Sequence, residues 1–380
     1  MEYWIWLRQI KGLGPVIEKR LLNRFETPEL IYQACEEELM SVIGIGKVLA
    51  QNIVSARSLD KAYRILEEIY KKNIKILTYN EPLYPSLAKD YNEAPTLLYY
   101  KGNIRPQMEG VAIVGSRRCS EYGKQIAVTA AEFLAHNDIP VISGMAKGID
   151  VYSHTSCLKN DGYTIAFLGN GVDICYPNEH RDLMEAIIEN GAVISEYPPG
   201  TRPRVEFFPR RNALISSWSK KILLVEAAEN SGALITARLG KLQGREVFGP
   251  PHEIYSITGK GSNKLISEGA NIYLNPSQLL IKNDLSSLNI ENLIKSVISE
   301  TGEKNQKIVK KRDLTAIEER IVLVITNMAK TIEEIARETD IDQLELIEPI
   351  SVMDLEGIIR EIAGGKYVAN QQKKHTHLSI

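Results

Sequence analysis

The stretch VAIVGSRRCSEYG, Val111 to Gly123, decides how this chain reads. Four apolar residues, a glycine, two arginines and a helical period make a buried parallel strand, a tight turn and a helix. A dinucleotide fingerprint needs glycines where Arg117 and Ser120 stand, and a P-loop needs a Gly-Lys-Ser/Thr that is missing. The turn offers Ser116, Arg117 and Arg118 instead. What such a turn holds depends on the turns beside it.

From Asn73 to about Leu280 the runs VAIVG, IPVISG, TIAFLG, GAVISE, KILLVEA and REVFG alternate with helical periods. That alternation predicts an α/β unit, a Rossmann-like, mostly parallel sheet with helices on both faces. Ligands of such sheets sit outside the carboxyl ends of the strands. The first run ends in Gly115, Ser116, Arg117 and Arg118. The second ends in SGMAKGID, with Ser143, Gly144 and Lys147. The third ends in Gly169 and Asn170, and the fifth leads to Ser231 and Gly232 at the start of a helix. Glycines let a backbone approach a ligand, helix N-termini favour anions, and arginine and lysine add charge. Four such turns on one sheet edge predict an extended phosphate-binding rim.

The segment RPRVEFFPRRNALISSWSKK, Arg202 to Lys221, holds six basic residues and one acid in a chain of net charge −2. Its Phe207 and Phe208 lie among Arg210, Arg211 and Asn212. Cations interleaved with aromatics suit single-stranded nucleic acid, where bases stack and phosphates are neutralised. Lys260, between two glycines in GKGSNKLISEGA, reads as one more phosphate-binding turn. Other polar groups read as structural. Asp150 and His154, four apart on a helix, make either an acid–base pair or, as we expect, a hydrogen bond that holds the glycine turn. Glu196 and Glu226 at strand ends are either catalytic or, as we expect, organisers of nearby N–H groups and arginines. Cys157, Cys175 and Trp218 belong to the core.

A length of 380 residues suits two or three domains, and 44% hydrophobic with 25% charged residues is a soluble globular composition. No apolar run reaches the roughly 18 residues of a membrane span. The four cysteines form no CxxC pair, so neither a zinc site nor a disulfide framework is expected, and no metal or cofactor. Residues 1–72 read as helices with two Gly-apolar-Gly turns, IKGLGP and VIGIGK. They form either a helix-hairpin-helix pair that presents backbone N–H groups to phosphate or a small structural bundle. After the sheet domain, 73–285, come a basic linker, 286–312, a winged-helix-like domain, 313–369, and a tail, 370–380. Between Ile332 and Glu361 ten acids face only Arg337 and Arg360, which suits no DNA-reading helix. Pro349 would interrupt that helix, so its start is expected near Glu348.

Seven motifs in order, VAIVGSRRCSEYG, ISGMAKGIDVYSH, TIAFLGNGVDICYP, ISEYPPG, FFPRRNALIS, LLVEAAENSGALITA and GKGSNKLISEGA, resemble the signatures of the DNA-processing protein A family, DprA/Smf. The resemblance is strong from Tyr84 to Ala270 and looser at both ends. It implies a non-enzymatic cytoplasmic protein that binds single-stranded DNA and dimerises through its Rossmann-like domain. It also implies that the protein protects incoming strands and helps load a RecA-type recombinase in natural transformation. By matching position, Arg117, Lys147, Phe207, Phe208, Arg210, Arg211, Asn212 and Lys260 would bind the strand. Gly115, Ser116, Ser143, Gly144, Ser231 and Gly232 would form backbone nests. On this reading the arginines of the opening turn meet a phosphodiester backbone. Departures are YSHTSC around His154 and FGPP, Phe248 to Pro251, where the family has Val-Pro-Gly.

Two rival readings use the same rim. One is a nucleoside-monophosphate glycosidase, which would need a glutamate on the helix SGALITARLGKL, where there is no carboxylate. The other is a nucleotide sensor signalling through the C-terminal domain.

Overall fold

The computed structural model describes residues 1–281 and, of the remainder, 314–369 apart from 327, 344, 347, 348, 351, 352, 354–357 and 363–365. The expected linker and tail lie outside the described residues. The chain divides into two compact units, Met1–Leu288 and Asn289–Ile380.

In the first unit the strands β1 (Lys75–Thr78), β2 (Leu97–Gly102), β3 (Gly110–Val114), β4 (Val141–Ser143), β5 (Thr164–Phe167), β6 (Gly191–Ser195), β7 (Ser219–Leu224), β8 (Glu246–Gly249) and β9 (Asn271–Ile272) make one sheet. Its order is β1-β2-β6-β5-β4-β3-β7-β8-β9. From β6 to β9 every neighbour is parallel, while β2 runs antiparallel to β6 and to β1. The six apolar runs of the sequence are β3 to β8. They are apolar without alternation because helices cover both faces and leave no wet side. Ala112 pairs Ile142 of β4 on one side and Ile222 of β7 on the other. After β3 the chain turns toward β4, and after β7 toward β8. The crevice between β3 and β7 is therefore the switch point of the sheet.

Helices Glu2–Leu7, Pro15–Phe25, Pro28–Gln33, Glu36–Met40, Lys47–Ser55 and Asp60–Lys71 precede the sheet. Gly12 and Gly44, at φ +84° and +94°, turn the two hairpins in a conformation that favours glycine. These helices share one hydrophobic core with the sheet, in which Ile5, Leu21 and Ile53 join Leu97, Tyr99 and Val193. Leu98 and Tyr100 of β2 point into the other core. Each fully buried Leu or Ile contributes about 1.5–3 kcal/mol, so this shared core is a strong attachment. It also explains why β2 shows no alternation.

The second unit has its own core of Ile321, Ile325, Ile335, Leu346, Ile350, Met353 and Ile359. Helices Ala316–Ile325 and Ile332–Thr339 both start at capping boxes, Thr315 with Glu318 and Thr331 with Glu334. Strands β10 (Lys330–Thr331), β11 (Ile359–Ile362) and β12 (Lys366–Ala369) pair in the order β10-β12-β11, a winged-helix-like arrangement. Glu348 lies outside the described residues.

Candidate nucleic-acid interface

A cavity of about 620 Å³ opens at the switch point. Its walls are the Gly115–Arg118 turn after β3, the Ser231–Gly232 turn after β7, and Phe208 and Asn212 of the helix Phe207–Ser217. The first turn is tied down. Ser116 N–H donates to Glu226 O at 2.7 Å, and the Ser116 hydroxyl bridges the backbone of Arg118. Ser120 caps the following helix and donates through both its N–H and its hydroxyl to the Glu226 carboxylate at 2.9 Å. Glu226 is thus fully buried and holds the Ser120 N–H and hydroxyl. Arg117 and Arg118 remain exposed.

The turn after β4 departs from expectation. Ser143 and Gly144 do not form an open nest. Ser143 is buried and donates to Ile113 O at 2.6 Å, and Gly144 N–H is committed to Asp150 Oδ2 at 3.2 Å. A Cβ on Gly144 would lie 1.3 Å from Nη1 of Arg211. The glycine admits a guanidinium of the protein itself. Arg211 lies in the cavity floor, 5% exposed, with Nη1 donating to Gly144 O at 2.6 Å and standing 3.9 Å from Asp150. A buried, committed arginine holds the rim in shape, whereas an exposed one is open to an anion. Arg211 is the first kind, against the sequence reading.

Asn170 is likewise withdrawn. It is 1% exposed, and its amide donates to Gly171 O and Ile174 O. Gly169 is also buried, and a Cβ there would stand 3.2 Å from the Phe208 ring, so this glycine makes room for an aromatic side chain rather than for a phosphate. Asp150 holds the glycine turn through the N–H groups of Gly144 and Ala146, as expected. His154 is not its partner. The Thr164 hydroxyl donates to Val141 O, so His154 Nδ1 must donate to Thr164 Oγ1, at 2.7 Å. Its Nε2 is left unprotonated and has no hydrogen-bond partner among the described residues. Burial, and then the Arg211 and His180 charges, push this imidazole down to about 3.

Around the rim the structure brings together four rings. Phe207 stacks on Tyr197 at 4.0 Å between centroids, and Phe208 lies 6.1 Å from Tyr176. The guanidinium of Arg117 stands 5.7 Å from the centre of the Phe208 ring, and that of Arg204 is 5.8 Å from Phe207. Both phenylalanines are half-buried, and Tyr176 and Arg210 are exposed. Asn212 donates to Gly232 O, joining the basic segment to the turn after β7. Lys260 is exposed at the start of the helix Lys260–Ser267, and Gly261 N–H anchors that turn to Ala227 O at 2.7 Å. Lys147 is exposed but paired with Glu179 at 2.7 Å, so a phosphate would have to displace a carboxylate. Glu179 and Tyr197 were not foreseen. Tyr197 stands in the quoted ISEYPPG, but no spacing says that it reaches Phe207.

Among the described residues no cluster of three or more His, Cys, Asp or Glu side chains could hold a metal ion, and no helix is long and apolar enough to cross a membrane.

A family model described as DNA recombination-mediator protein A matches residues 75–284, and a SAM-like helix-hairpin-helix tandem matches residues 7–58. Protein Smf of Synechocystis sp. is 38% identical over 283 residues, 73% of this chain and 71% of that one. The DNA processing protein DprA of Streptococcus pneumoniae is 37% identical over 198 residues, 52% of this chain and 70% of that one. The X-ray structure of DNA processing protein A from Streptococcus pneumoniae has 28% identity and a TM-score of 0.62, covering 76% of this chain and 98% of that chain.

Proposed function

Because the chain belongs to the DNA recombination-mediator protein A family, we propose that it binds single-stranded DNA along the carboxyl edge of its parallel sheet. As the resemblance implies, it then protects the strand and helps load a RecA-type recombinase on it in natural transformation, acting in the cytoplasm as a homodimer through its Rossmann-like part. The observation that carries the DNA-binding reading is the pairing of exposed Arg117 with the half-buried Phe208 ring at the switch-point cavity. A base can stack where the ring is open while the guanidinium meets its phosphate. The contact set is Arg117, Arg118, Lys147, Phe207, Phe208, Arg210, Asn212 and Lys260, with the backbone of Gly115, Ser116, Ser231 and Gly232.

Binding should favour single strands over blunt duplex without marked sequence choice, since the rim offers cations and rings but no helix aimed at base edges. Arg117→Ala should flatten the log–log salt slope by about 0.7. Phe208→Ala should weaken binding by about 1–3 kcal/mol with the slope unchanged. Titration of labelled oligonucleotides at several salt concentrations checks both, and equal affinity for duplex would sink the proposal. A cavity of about 620 Å³ also suits a mononucleotide, so a nucleoside monophosphate belongs among the competitors. If it competes as well as the oligomer, the sensor reading wins. We propose no hydrolysis: the helix Ala233–Leu242 carries no carboxylate, and Glu226 is held by Ser120. Free base released from a nucleoside monophosphate would contradict this.

The C-terminal unit does not grip DNA on this reading. Residues 332–361 carry net −8, by ten acids and two arginines, and repel phosphate. A chain ending at Arg312 should keep its single-strand affinity to within about tenfold, 1.4 kcal/mol. A larger loss in a folded truncated chain would give the acidic unit a share in binding.

A further inference from the structure

The two tyrosines that flank the phenylalanines stand next to gripped carboxylates. Tyr197 follows Glu196, whose Oε2 accepts from Arg8 at 3.2 Å. Tyr176 lies in the same loop as Asp173, whose Oδ2 accepts from Lys72 at 2.8 Å. Arg8 and Lys72 both belong to the N-terminal helical region, one just past the helix Glu2–Leu7 and the other just past Asp60–Lys71. Neither contact is loose. Arg8 also donates to Glu18 at 2.9 Å, and the opposite oxygen of that fully buried carboxylate takes the Thr96 hydroxyl at 2.5 Å. Asp173 accepts Gly200 N–H through both oxygens at 3.0 Å, which ties the loop after β5 to the loop after β6. Burial disfavours its charge, but Lys72 and the Gly200 N–H hold the carboxyl below its ordinary value.

The helical region therefore touches the loops behind the aromatic rim at two charged points. We infer that the N-terminal helices act on single-stranded DNA indirectly, as a brace: Arg8 and Lys72 fix the loops that set Tyr197 against Phe207 and Tyr176 beside Phe208. They are positioning residues. A stacking platform binds well only when its rings are held before the base arrives, because ordering side chains on binding costs affinity. This inference rests on the reading that Phe207 and Phe208 stack on a strand. It leaves the hairpin turns at Gly12 and Gly44 free of any DNA contact.

Charge offers a test that separates a brace from direct attraction. Lys72→Ala removes a cation and Asp173→Ala removes an anion. Simple attraction to a polyanion would make the first weaken binding and the second strengthen it. A brace makes both weaken it, by roughly threefold to tenfold, the size of coupling expected between residues sharing a network. Binding of the full-length variants to an oligothymidylate should show this, with the wild-type salt slope kept in Lys72→Ala and affinity regained in Lys72→Arg. In a Phe208→Ala background neither substitution should matter further, and near-UV circular dichroism should report that Lys72→Ala, whose side chain is partly exposed, keeps the fold. Opposite directions for the two variants, a slope flattened by about 0.7 in Lys72→Ala, or effects that add to those of Phe208→Ala each overturn the brace. If Phe208→Ala itself binds like wild type, the stacking reading fails and the brace falls with it. If Phe208→Ala weakens binding while Lys72→Ala does not, the brace alone is wrong.

Discussion

Replacing Arg211 with alanine should cost the fold about 3–5 kcal/mol, because it strips a buried carboxylate of its counter-charge. Asp150 is 6% exposed and has the Arg211 guanidinium 3.9 Å away. The carbonyls of Gly144 and Phe167 would lose a donor as well, and the floor of the cavity would be empty. Arg117→Ala is the control. Arg117 is exposed, so its loss should shift stability by no more than about 0.5 kcal/mol while DNA affinity drops. Urea unfolding of the two variants, with affinity measured on whatever remains folded, separates the roles. Should Arg211→Ala prove as stable as wild type and lose only affinity, Arg211 is a strand contact after all. Adjacent arginines in one motif would then share one role, contrary to their burial.

Acid should destabilise the protein through His154. The imidazole is held neutral in the fold at about 3, against an ordinary 6.5 in the unfolded chain. The unfolded state thus binds a proton that the folded state refuses. The stability is complete above pH 6.5 and falls as pH drops from there toward 3, by at most about 1.4 kcal/mol per pH unit. Integrated over that window, the loss approaches roughly 5 kcal/mol, as large as the stability of many domains. His154→Gln cannot titrate. Its unfolding free energy between pH 6.5 and 4 should fall with a slope smaller by up to one proton than that of wild type. Parallel curves for the two proteins would show that His154 does not control the acid limb.

The positions of these two residues explain what could be read from the sequence. The six runs of β3 to β8 were legible because a parallel sheet covered on both faces demands unbroken apolar segments, and the glycine turns between them mark the carboxyl ends. The rim was legible for the same reason. Once parallel strand direction is implied by alternation, every turn after a strand falls on one edge. Burial within the rim was not legible. Arg210 and Arg211 are neighbours in sequence, yet one is exposed and the other 5% exposed, because a helix turns successive residues by 100° and only one can face Gly144. Ser143 and Asn170 failed in the same way. The Ser143 hydroxyl is satisfied by the Ile113 carbonyl of neighbouring β3 and the Asn170 amide by carbonyls of its own turn, structural uses that look identical in sequence to a ligand-binding one.

The amino-acid sequence by itself determined the sheet, the edge that carries the site, the family and the concentration of cation and ring in Arg202 to Lys221. The family shows in the resemblance of seven ordered motifs, and the rest follows from periodicity and composition, which act over a few residues at a time. Only the tertiary structure decided which polar groups are open to a strand. It also decided that the N-terminal helices share a core with the sheet and reach the loops behind the rings through Arg8 and Lys72. The physical reason is distance along the chain. Arg8 meets Glu196 and Lys72 meets Asp173 across 188 and 101 residues of chain, and Coulomb attraction between such pairs depends on separation in space. No local pattern encodes that separation.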